Sequence, residues 1–126
     1  ISNHGGRQLD FGLGTTEVLT EIINTTKDHC EIYVDGGFYR GTDILKAICL
    51  GATAIGLGRL YGYGMAADGV DGIIRVLEIL EEEIINAMAN LGVTTLSELN
   101  KDLICKSEPV VEPTAFSAFL PVKISH

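Results

Sequence analysis

With 126 residues, 46% of them apolar, and little low-complexity sequence, the chain has the length and composition of one compact domain with a buried core. A formal charge of −8 argues against binding a nucleic-acid backbone, which needs clustered lysine and arginine, and leaves a small anionic ligand open. The three cysteines Cys30, Cys49 and Cys105 form no CxxC pair, which argues against a metal site or disulfide framework and for free thiols in the cytoplasm or another reducing compartment.

Ile1 to Asn3 reads as the end of a strand running into a glycine-containing loop, 4–14. An opening in mid-strand sets the expectation of a piece of a longer chain. From about Thr15 to Asp28, Val18, Leu19, Ile22 and Ile23 line one face of an amphipathic helix. Glu31 to Asp35 follows as a short strand closed by Gly36 and Gly37. Thr42 and Asp43 are expected to cap a second helix with Ile44, Leu45, Ile48 and Cys49 on its inner face, ending at Gly51. Thr53 to Gly58 reads as a strand buried on both sides, and Arg59 to Gly64 as a loop or short helix. The longest helix is expected from about Asp68 to Asn90, with a stripe of Ile73, Val76, Leu77, Leu80, Ile84, Met88 and Leu91. Glu78, Glu81, Glu82 and Glu83 read as its solvated face, Gly92 as its cap, and 95–100 as one more helical turn. From Lys101 onward Pro109, Pro113 and Pro121 break every period. An extended tail is expected there, with Phe116, Phe119 and Leu120 as candidates to dock it on the domain or a neighbouring subunit. No run of about 18 apolar residues is present, so no membrane-spanning helix is expected, and no signal peptide is recognisable.

Alternating strand and helix is the pattern of a parallel α/β protein, and right-handed crossovers bring the ends of the strands to one face. Three polar or glycine-rich stretches fall there: Ser2-Asn3-His4-Gly5-Gly6-Arg7-Gln8, Asp35-Gly36-Gly37-Phe38-Tyr39-Arg40-Gly41, and Gly58-Arg59. In parallel α/β barrels that face carries the active site, and backbone N–H groups with a helix N-terminus hold phosphate in the last loops. Gly36-Gly37 and Gly58-Arg59 suit such a cradle, although each alone is more often an ordinary turn. His4 is a candidate proton acceptor, with an ordinary pKa near 6.5, and Arg7 offers a planar fork to a carboxylate. Equally open is a bracing role for His4 and a simple ion pair between Arg7 and Asp10.

At these residues the chain resembles the FMN-dependent 2-hydroxy-acid oxidase and dehydrogenase family, which includes glycolate oxidase, lactate oxidase and the flavin domain of flavocytochrome b2. Ser2-Asn3-His4-Gly5-Gly6-Arg7-Gln8-Leu9-Asp10 carries the resemblance most specifically. It continues through Asp35-Gly36-Gly37, Arg40-Gly41-Thr42-Asp43, Gly51-Ala52, Gly58-Arg59 and Ala66-Ala67 to about Leu99. The resemblance implies the C-terminal part of a TIM (β/α)8 barrel, with residues 1–100 as its last three strands and helices and 101–126 as a tail. It implies oxidation of a small L-2-hydroxy acid of lactate or glycolate type, with FMN as cofactor. His4 would be the catalytic base and Arg7 the substrate-carboxylate clamp. Ser2 would lie near the flavin, while Asp35, Gly36, Gly37, Gly58 and Arg59 would hold the ribityl phosphate; no metal is implied. It also implies a tetramer or octamer, a peroxisomal location in some members, and a preceding half-barrel. That half would supply a lysine at the flavin, an aspartate that orients the histidine, and tyrosines at the substrate.

Two positions depart from the family. Tyr39 stands where an arginine usually reaches the phosphate, and Leu60 stands where a proline usually follows the Gly-Arg pair. Tyr39 keeps open a second expectation, a catalytically inactive truncated paralogue that binds phosphate or FMN weakly or acts through oligomerisation. A different FMN- or phosphate-binding barrel, sharing only the last two motifs, is the third, and the His4–Arg7 stretch disfavours it.

Overall fold

The computed structural model describes residues 1–26 and 29–107. Helix α1 (Thr15–Thr26) forms where the apolar spacing placed it, with Leu19 fully buried and Val18, Ile22 and Ile23 half-buried. The last two residues expected in it, 27 and 28, lie outside the described residues. Strand β1 (Tyr33–Asp35) pairs in parallel with β2 (Ala54–Gly56), in the register Tyr33 to Ala54, Val34 to Ile55 and Asp35 to Gly56. Both strands are three residues long, shorter than the spans expected. At their entry Thr53 N–H donates to the Ile32 carbonyl at 2.7 Å, and Ile32 N–H to Thr53 Oγ1 at 3.0 Å.

On the other side of β1, the Ile1 nitrogen donates to the Tyr33 carbonyl at 2.5 Å, and the Ile1 carbonyl accepts Asp35 N–H at 3.0 Å. That alternation is a parallel bridge centred on Val34, so the first segment lies beside β1 as a strand end does. Strand β2 was expected to be buried on both sides. Ala54 and Gly56 are instead exposed and Ile55 is half-buried, because among the described residues no strand covers its outer edge. The architecture is a parallel α/β unit; a closed barrel is not visible.

Helix α2 (Gly41–Cys49) starts one residue before the expected caps. Thr42 is an exposed helical residue, and Asp43 sits at the third helical position. From there its carboxylate accepts the N–H groups of Tyr39 at 3.3 Å and Arg40 at 3.1 Å, a favourable place for negative charge. Leu45 and Cys49 are buried as expected, and so is Ala47, whose methyl the periodicity did not single out. Gly51 turns the chain out of α2 with φ +109°.

Helix α3 (Arg59–Leu91) contains both the segment expected as a loop or short helix, which is helical, and the long helix, joined across a kink at Asp68 and Gly69. Near the kink the two halves approach so closely that a Cβ on Gly72 would lie 2.0 Å from the Gly64 carbonyl oxygen. Glycine at both positions permits that approach. Of the expected stripe Leu80 is buried and Ile73, Val76, Ile84 and Met88 are half-buried. Leu77 and Leu91 are exposed, since only one side of α3 meets α2. Gly92 ends the helix in the left-handed conformation, φ 72°.

Two apolar clusters flank α2. Leu19, Val34, Phe38, Ala47 and Ala52 pack between α1, α2 and the strands. Leu45, Cys49 and Leu99 pack toward α3 and the last segment. Burial in the second cluster pushes the Cys49 thiol pKa up, consistent with a packing role rather than a reactive one. Residues 96–98 form the expected helical turn, a 3-10 turn. Lys101–Leu103 also form a 3-10 turn where an extended tail was expected, and Leu103 and Ile104 pack on the second cluster. Phe116, Phe119 and Leu120 lie outside the described residues. No helix of the described residues is long and apolar enough to cross a membrane.

Candidate functional site

His4 begins a 3-10 turn, His4–Gly6, which follows the segment paired with β1. The turn closes through N–H groups of Gly6 to the Asn3 carbonyl and Arg7 to the His4 carbonyl, both at 3.1 Å. A Cβ at position 6 would sit 2.9 Å from Asn3 Oδ1, so a larger residue there would displace that exposed side chain. The histidine and arginine side chains are therefore carried on a defined turn, and both residues are exposed. Among the described residues Arg7 forms no ion pair with Asp10 and no carboxylate pairs with His4.

Ser2 joins the first two motifs. Its hydroxyl donates to Asp35 Oδ1 at 2.8 Å and accepts the His4 N–H at 3.1 Å. The Asp35 carboxylate at the end of β1 thus restrains the start of the histidine turn through one hydroxyl. Gly36 tightens the same junction: at φ +99°, a Cβ on it would lie 3.3 Å from Asn3 Cβ and 3.4 Å from Thr15 Oγ1. Thr15, buried at the start of α1, also donates weakly to the Gly36 carbonyl at 3.5 Å.

Gly37, at φ +88°, has nothing within 4 Å of where a Cβ would stand, and the same is true of Gly58. Both lie two residues beyond the paired ends of β1 and β2, and Gly58 is the N-cap of α3, with Arg59 its first residue. Open backbone at two adjacent strand ends and the N-terminus of the first segment of α3 make an arrangement suited to an anionic group. The residues present therefore fit the phosphate of a flavin mononucleotide, with Tyr39 as the departure. Arg40 is engaged elsewhere: its Nε lies 2.7 Å from Glu83 Oε1.

The structure thus links Ser2, His4, Asp35 and Gly36 directly and sets Gly37 and Gly58 on neighbouring strand ends. It does not join the Arg7 side chain to this network. A cleft of about 1000 Å³ borders Gly36 and Gly37, but its other walls are Thr16, Glu17, Asp43, Lys46 and the 101–106 segment, on the helix side of the loop. His4, Arg7, Gly58 and Arg59 do not line it. Among the described residues no group of three or more His, Cys, Asp or Glu is arranged to hold a metal ion. Sequence reasoning passed over Asn3 and Thr15, although an asparagine inside the turn and a threonine opening a helix are both visible signals. Glu83 carried no signal, being one glutamate in an acidic run.

The family model described as FMN-dependent dehydrogenase matches residues 1–106. The chain is 49% identical over 109 residues to an L-lactate dehydrogenase (cytochrome) of Saccharomyces cerevisiae, covering 82% of this chain and 18% of that protein. It is 44% identical over 104 residues to the human 2-hydroxyacid oxidase 2, covering 82% of this chain and 30% of the relative. Among solved structures, the monotopic membrane protein (S)-mandelate dehydrogenase superposes with a TM-score of 0.77 at 42% identity, over 82% of this chain and 27% of that one. A flavocytochrome b2 variant with benzoylformate superposes over 100% of this chain and 35% of its own, at 40% identity and a TM-score of 0.75. The chain therefore spans less than a third of the length of the curated relatives it matches. A match over 106 residues, together with the glycine cradle and the histidine turn, makes the conclusion plain: the chain belongs to the FMN-dependent dehydrogenase family.

Proposed function

We propose that this chain is the C-terminal part of a (β/α)8 enzyme that oxidises a small L-2-hydroxy acid, of lactate or glycolate type, to the 2-oxo acid. The observation that carries the reading is the Ser2 bridge, which ties the histidine turn to the end of the strand bearing the glycine cradle. His4 accepts a proton from the substrate at its imidazole, and the exposed position of the turn leaves the ring accessible. Arg7, three residues on, binds the substrate carboxylate through paired N–H···O contacts and so orients the reacting carbon. Gly36, Gly37, Gly58 and Arg59 hold the phosphate, while Ser2 and Asp35 set the spacing between that phosphate and His4. FMN, when bound, supplies the two-electron acceptor. The substrate class follows the relatives' names, lactate dehydrogenase and 2-hydroxyacid oxidase. Exposed thiols at Cys30 and Cys105 suit a reducing compartment, and one relative is named as peroxisomal.

The test is steady-state oxidation of L-lactate and glycolate with an artificial electron acceptor. Loss of the base in His4→Asn is expected to lower kcat at least about 100-fold with little change in bound flavin. An unchanged rate in that variant would remove His4 from the mechanism. Tyr39 favours a second reading, an inactive paralogue that retains a weakened phosphate site. Weak FMN binding, with no turnover of any 2-hydroxy acid even at saturating FMN, would select it.

A further inference from the structure

We infer that Glu83 is a positioning residue for the flavin-phosphate site: from α3 it seals the N-terminus of α2 and fixes the glycine loop that precedes it. This rests on the proposed role of Gly36 and Gly37. Glu83 Oε1 lies 2.7 Å from Arg40 Nε, and Oε2 accepts the Gly41 N–H at 2.6 Å. Asp43 takes the two preceding N–H groups, those of Tyr39 and Arg40. Three consecutive amides leading into α2 are therefore held by carboxylates. Gly41 is buried in the same contact: a Cβ on it would lie 2.6 Å from Glu83 Cβ and 2.8 Å from the Leu80 carbonyl oxygen.

Two consequences follow from the charges. A phosphate approaching the start of α2 would meet two carboxylates rather than open N–H groups, so the start of α2, a good anion site in principle, is closed to it. The anion is directed to the Gly37 and Gly58 side and the start of α3. Arg40, paired with Glu83, is also withheld from the role of the arginine that Tyr39 replaces. The chain between Gly37 and Gly41 is anchored at Gly41 by Glu83 and near Gly36 by the Asn3 and Thr15 contacts, which leaves Gly37 at a set position.

The experiment measures the dissociation constant of FMN for the holoenzyme and for Glu83→Ala, Glu83→Gln and Glu83→Asp, with kcat and KM at saturating FMN. Loss of a charge-assisted anchor is expected to weaken FMN binding about tenfold in Glu83→Ala, while KM for the hydroxy acid and kcat at saturating FMN stay within about twofold. Glu83→Gln, which keeps an acceptor for Gly41 N–H, should recover part of the loss, and it serves if the alanine variant does not fold. FMN affinity unchanged in every folded variant, even with lowered thermal stability, overturns the inference and leaves Glu83 a brace between helices. If the unsubstituted protein itself binds no FMN, the proposed function fails first and takes this inference with it.

Discussion

At the scale of single residues, the site depends on small groups holding larger ones. Ser2 is one hydroxyl between Asp35 and the His4 backbone, Gly41 is a position where a methyl group has no room, and Gly36 holds a left-handed backbone close against Asn3 and Thr15. The sequence motifs pointed to candidate residues but not to these constraints, because a missing Cβ leaves no trace beyond the word glycine. Tyr39 is the residue most open to test. An arginine there would add one charge-assisted contact to a phosphate, worth about 1.5–3 kcal/mol. Tyr39→Arg is accordingly expected to tighten FMN binding by roughly one to two orders of magnitude, measured by fluorescence titration. Weaker binding in that variant would mean that the loop does not carry position 39 toward the phosphate.

At the scale of elements, helix α1 was legible because Leu19 and its neighbours repeat with the helical period. The kink of α3 was not, because the stretch leading to Asp68-Gly69 begins with Arg59 to Gly64, which reads equally as loop or short helix. What decides it is tertiary: Gly64 and Gly72 meet backbone to backbone across the bend. Gly72→Ala is expected to cost about 1–3 kcal/mol through overpacking, seen as a lower denaturation midpoint with an unchanged m-value. A neutral result would show that the two halves of α3 separate freely. The turn at 96–98 supplies a pH test. Glu98 accepts from the hydroxyl and N–H of both Thr95 and Thr94, and these bonds hold its carboxyl below the ordinary 4.5. A depressed folded pKa contributes stability above the unfolded value, lost as pH falls through the folded one. Amide protection factors in residues 95–104, corrected for the intrinsic slowing of exchange in acid, should therefore fall on acidification below about pH 4.5, and should lose that pH dependence in Glu98→Gln.

At the scale of the whole molecule, motif and architecture were unequally legible. Local period and turn chemistry were enough to read a parallel α/β unit, whereas closure into a barrel depends on strands that pair with the open edge of β2. A (β/α)8 barrel takes about 250 residues, and its active site is assembled from several loops. The exposed Leu9, Phe11, Met65, Val70 and Ile74 are, on this account, surface that further barrel elements or a second subunit would cover. The same holds for His4, whose imidazole meets no carboxylate among the described residues; an orienting partner would come from another part of the barrel. On the proposed reading, Ser2, Asp35 and the two glycine loops would supply the phosphate half of the site from within this chain.

On the proposed reading, His4 and Arg7 serve oxidation of a 2-hydroxy acid beside an FMN held by Gly37 and Gly58. Anaerobic addition of L-lactate or glycolate to the FMN-loaded protein tests it most directly, followed by visible absorbance. The oxidised flavin bands are expected to bleach with the L-enantiomer, not with D-lactate, and His4→Asn is expected to abolish the bleaching while retaining the bands. Full flavin occupancy with no bleaching by any 2-hydroxy acid would contradict it.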